Sequence, residues 1–187
     1  MTLGRAGAAV ELAGSLGDDA EGDQVVVALG RAGVGHAALL RDPAARTPPR
    51  GSASPGRALP RLEAADVELG LGYLSDCRVL VLADDLEATA RSQALAAAEY
   101  HGADVVMVTP PGMVDPGTLG ERVTLLERAP LDEPTDGEDD GGPSATADEA
   151  AFVAFVAEYA ARLDRGERPQ AAFSAALRRT AWEPSTD

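Results

Sequence analysis

The stretch VELAGSLGDDAEGDQVVVALGRAGVGHAALLRDP, residues 10–43, decides the fold. At its head Ala8–Ala13 (AAVELA) is short and apolar, and Gly14-Ser15-Leu16-Gly17 follows. That order predicts a strand leaving a sheet into a turn. Asp18, Asp19, Glu21 and Asp23 then stand ahead of QVVVALG. Carboxylates in a first turn suit the positive end of a helix dipole, so a helix is predicted over about 20–32. Gly33-Val34-Gly35 closes it, and His36–Leu40 (HAALL) is the next strand.

Outward from this unit the alternation continues. Residues 42–60 are dense in Pro, Gly, Ser and Arg and read as a loop or lid. Arg61–Tyr73 sets Leu62, Ala65, Leu69 and Gly72 on one helical face. Arg78–Ala83 (RVLVLA) and Asp104–Thr109 (DVVMVT) are continuously apolar, as strands covered on both faces require. An Ala-rich helix lies between them at about 87–101, and Val123–Leu126 is a fifth strand after a short helical turn. Residues 128–145 are acidic and rich in Pro and Gly, with too little apolar surface to order themselves. Two helices follow, at about 147–164 and 169–180. This order predicts an α/β fold, three-layer α/β/α with a mostly parallel sheet. The expected organisation is a sheet core over 1–127, a flexible connector over 128–145, and a helix pair over 146–187 packed on the same domain.

Composition narrows the function. Sixteen Arg and no Lys stand against 31 Asp+Glu, giving a formal charge of −15 over 187 residues. Such a surface repels nucleic acid and anionic membrane. No run reaches the ~18 apolar residues of a membrane span, and residues 1–19 lack the sustained apolar core of a signal peptide. The single Cys77 excludes an internal disulfide and fits a reducing cytoplasm. Asn and Ile are also missing and Ala is about a fifth of the chain, a pattern of coding bias rather than of selection on the fold. The acidic excess serves solubility or adapts the chain to a salt-rich cytoplasm.

Three stretches resemble the ribokinase-like (PfkB) family of sugar and nucleoside kinases. Family members carry a strand, G-x-x-G-D-D-x-x-G-D, a helix ending in Ala-x-Gly-Val, and a strand running into a lid. Gly14, Gly17, Asp18, Asp19, Gly22 and Asp23 occupy the motif positions, followed by VVVALGRAGV and LLRDPAARTP. Residues 59–110 read like the family's next helix–strand–helix–strand unit, and 151–177 like its penultimate helix pair with an Arg-Gly-Glu turn. The resemblance implies a ribokinase-like sheet, ATP and Mg²⁺ as cofactors, and a sugar or nucleoside ligand held near Gly14, Gly17, Asp18, Asp19 and Thr146.

The departures are equally specific. Leu3-Gly4 matches the last turn of the family's first helix, so the first strand with its sugar-binding Asp and the Gly-Gly-x-x-Asn segment have no counterpart. The lid strands are collapsed into the loop at 42–60. Residues 121–133 match either the strand leading to an Asn-x-x-Glu segment, with Ala129 and Asp132 in place of Asn and Glu, or a later strand. The family's Gly-Ala-Gly-Asp, which opens a helix, cradles negative charge and supplies the base, corresponds here to Thr146-Ala147-Asp148-Glu149-Ala150-Ala151-Phe152. Both glycines are gone. Alignment on Phe152 puts Ala150 at the base position; sliding by two puts Asp148 there. Thr146 and Glu149 also fit a capping box, in which Asp148 merely complements the helix dipole.

The remaining candidates carry weaker chemistry. Asp18 and Asp19 suit a cation, but two adjacent acids in a Gly turn are more often Asx-turn and helix-start residues. His36 and His101 have no partner at ligand spacing, and Cys77 reads as a core thiol. The acids of Glu133–Asp140 lack Ca²⁺-loop order. Arg50, Arg57 and Arg61 suit a phosphate, a carboxylate or neighbouring acids. Two readings stand: a kinase homologue that has lost phosphotransfer and serves as a small-ligand binding or interaction protein, or an active kinase with Asp148 as base. A third reading is a decayed fragment with an exposed core, stabilised only by self-association.

Overall fold

A computed structural model describes residues 8–48, 59–74, 76–83, 86–128, 145–180 and 182. Among the described residues five strands and five helices follow the predicted order: β1 (Glu11–Gly17), α1 (Ala20–Arg31), β2 (Gly35–Asp42), α2 (Ala64–Gly72), β3 (Val79–Leu82), α3 (Ala88–His101), β4 (Asp104–Thr109), β5 (Val123–Glu127), α4 (Ala145–Asp164) and α5 (Pro169–Arg179). A 3₁₀ turn at Pro116–Thr118 precedes β5. All described pairings are parallel, and they form two hydrogen-bonded sheets, β1-β2 and β3-β4-β5. The chain divides into two compact units, one of residues 3–77 with 86–102, the other of 78–85 with 103–187. The acidic stretch lies outside the described residues over 129–144, as does most of the Pro/Arg-rich loop, 49–58. Among the described residues no helix is long and apolar enough to cross a membrane.

In the first unit β1 runs through Gly14-Ser15-Leu16-Gly17, which the sequence reading assigns to a turn. The parallel register, with Gly14 opposite Leu39 and Gly17 opposite Asp42, keeps these residues in the ladder. Helix α1 ends in a Schellman motif: Val34 N–H donates to the Leu29 carbonyl, Gly33 N–H to that of Gly30, and Gly33 takes φ 68°. Leu29 and Val34, both buried, make its apolar contact. Helix α2 buries Val67, Gly70 and Leu71, while Ala65, Leu69 and Gly72 of the expected stripe face solvent. At Gly70 a Cβ would stand 3.5 Å from the Ala38 Cβ and 3.8 Å from that of Ala13, ordinary van der Waals contact, so α2 lies close on β1 and β2 there. The helix therefore seats its smallest residue where it crosses the small residues of β1 and β2. Helix α3 buries Ala90, Ala94 and Ala98 at four-residue spacing and packs on α2.

The second unit holds the bulky core. Val106 of β4, Leu126 of β5, Phe152, Phe155, Tyr159 and Leu163 of α4, and Ala172 and Ala176 of α5 form one buried cluster. All three phenylalanines and the single tryptophan join it. Phe155 lies 4.3 Å from Trp182, 5.0 Å from Phe173 and 6.0 Å from Tyr159 between ring centroids. The Tyr159 hydroxyl pairs with Thr124 Oγ1 at 2.8 Å, satisfying the polar end of a buried ring. Strand β4 is buried throughout its centre, as predicted; β3 is only half-buried over Val79–Val81. Helix α4 ends in a second Schellman motif around Gly166 (φ 80°), where Arg162 is held by both Glu158 (2.9 Å) and Glu167 (3.0 Å).

Candidate functional site

At the C-terminal end of β1 the chain turns from Gly17 through Asp18 and Asp19 into α1. Asp19 is the N-cap of that helix. Its Oδ1 accepts from Gly22 N–H at 2.8 Å and its Oδ2 from Thr47 N–H at 2.9 Å. The buried Thr47 in turn accepts Gly17 N–H on its Oγ1 at 3.0 Å. Arg41, from the end of β2, donates to the Gly17 carbonyl at 2.9 Å and pairs with Asp23 at 2.5 Å. Asp18 is exposed, and its N–H donates to the Asp42 carbonyl. The Gly-Asp motif is thus a closed knot between the start of α1 and the segment after β2.

Both of its later glycines are sterically required. A Cβ on Gly17 would lie 2.7 Å from Thr47 N and 2.9 Å from the Ala45 carbonyl. On Gly22 it would collide with the Gly17 carbonyl and the Arg41 guanidinium. Gly14, farther back in β1, meets only the Leu39 side chain. The structure brings Gly17, Asp18 and Asp19 together at one strand end, with Gly14 set three residues away along β1. Thr47 and Arg41, which complete the knot, were quoted in the motif stretch but not singled out. The signal was their place at the end of β2 and just beyond it, where the chain passes the start of α1.

The N–H of Gly22, and then that of Thr47, hold the Asp19 carboxyl below the usual carboxylate value. A carboxyl lowered by folding stabilises the protein above its unfolded pKa of 3.8 and ceases to as pH falls through the folded value. An Asp19→Asn variant is therefore expected to show a lower urea midpoint than wild type at neutral pH. The gap narrows as pH drops below about 4, measured by circular dichroism across a pH series.

The other predicted residues belong to α4. Thr146 and Asp148 lie in its first turn, and Asp148 is exposed. The side chain of Thr146, and with it the capping box, lies outside the described residues. One turn on, Phe152 carries the Arg128 guanidinium over its ring at 5.0 Å. Thr109, which ends β4 at 6% exposure, has an Oγ1 without a hydrogen-bond partner. His36 Nδ1 pairs with the Val34 carbonyl at 3.1 Å, and His101 packs edge-on to Tyr100. Cys77 is half-buried, and Arg61 reaches the exposed Glu87 at 3.5 Å. Arg50, Arg57 and Glu133–Asp140 lie outside the described residues.

Mg²⁺·ATP needs oxygen ligands and N–H donors that are free to face it. In the knot each Asp19 oxygen already accepts one hydrogen bond, and the Gly17 and Gly22 N–H groups are spent internally. Among the described residues no three His, Cys, Asp or Glu are grouped to hold a metal. The knot itself therefore presents no group of three metal-ligating side chains.

No family model matches the sequence, and no curated protein does. Solved structures do match. The PfkB protein from Polaromonas sp. JS666 aligns over 94% of this chain and 79% of its own, with 15% identity and a TM-score of 0.57. Fructokinase with bound ATP from Xylella fastidiosa aligns over 94% and 75%, with 17% identity and a TM-score of 0.58. In another fructokinase crystal structure from that organism the match spans 62% of this chain and 44% of the other, at 21% identity and a TM-score of 0.47. The fold is ribokinase-like α/β, as the motif resemblance implies.

Proposed function

We propose that this chain is a ribokinase-like sugar-kinase homologue that has lost phosphotransfer and serves as a small-ligand binding or interaction protein. The observation that carries the reading is the opening of α4. Phosphoryl transfer relies on positioned donors at the developing charge. Here the first turn reads Ala145-Thr-Ala-Asp-Glu-Ala-Ala151, with no glycine to let a phosphate approach the backbone. Asp148 and Glu149 place negative charge at the helix end that would otherwise attract an anion. The Gly17–Asp23 knot supports the same reading, since the N–H groups of Gly17, Asp18 and Gly22 are committed to the fold.

The ligand class is a sugar or nucleoside. Nucleic acid and membrane are not partners, on the charge argument above. Calorimetry against a panel of sugars and nucleosides tests the binding role: saturable heat with at least one member supports it, and none across the panel removes it. One observation favours the alternative, an active ATP- and Mg²⁺-dependent kinase: Asp148 is exposed, so its carboxylate is free to meet an acceptor hydroxyl. On that alternative, turnover would be present and would vanish in Asp148→Ala.

A further inference from the structure

We draw no further inference here: the strongest candidate, the exposed apolar face of α2 around Leu69 and Tyr73, carries none, because nothing in the structure shows what covers it.

Discussion

Phe155→Ala is expected to cost about 3–5 kcal/mol and to lower the urea midpoint by roughly 2 M. Phe155 has no solvent exposure and sits among Tyr159, Phe173 and Trp182. The chain has three Phe, three Tyr and one Trp, and the two aromatics outside this cluster, Tyr73 and Tyr100, are exposed. A domain's whole stability is about 5–15 kcal/mol, so the loss removes a large share of it. Trp182 reports the change directly, because it is the only tryptophan and touches the deleted ring. Tyr100→Ala, at 87% exposure, should leave the midpoint nearly unmoved.

The second large effect has the opposite sign to what helix propensity alone predicts. Gly22 lies inside α1, where glycine-to-alanine exchange ordinarily gains up to about 1 kcal/mol. Gly22→Ala should instead destabilise by about 1–3 kcal/mol or more, because the new methyl meets the Gly17 carbonyl of β1 and the Arg41 guanidinium. Relieving that collision means breaking the hydrogen bonds that close the knot. Gly30, in the last turn of the same helix, has nothing within 4 Å of a Cβ. Gly30→Ala should therefore stabilise by roughly 0.5–1 kcal/mol. Paired urea titrations by circular dichroism check the two signs; two changes of equal sign would mean that the knot does not govern α1.

Local signals carried the elements whose ends have their own chemistry. Helix α1 is legible because Asp19 caps one end and Gly33 the other, and β4 because DVVMVT is apolar without interruption. Strand β1 was displaced by half its length, since Gly14 and Gly17 read as turn residues. Only the pairing with β2 shows that glycine serves there for close approach. The buried face of α2 was also misplaced. Its sequence carries two apolar stripes, and which of them meets β1 and β2 is set by tertiary packing through Val67, Gly70 and Leu71, which no local pattern encodes. In the candidate site, Asp19 was legible as a helix start. Its second bond, to Thr47, joins residues 28 apart and was not.

The account turns on whether phosphate is transferred. The direct measurement is phosphotransfer from labelled Mg²⁺·ATP across a panel of sugars and nucleosides, for the full chain beside Asp148→Ala. The account predicts no labelled product from either protein at millimolar ATP. Turnover by the wild type that disappears in Asp148→Ala would contradict it and establish Asp148 as the base.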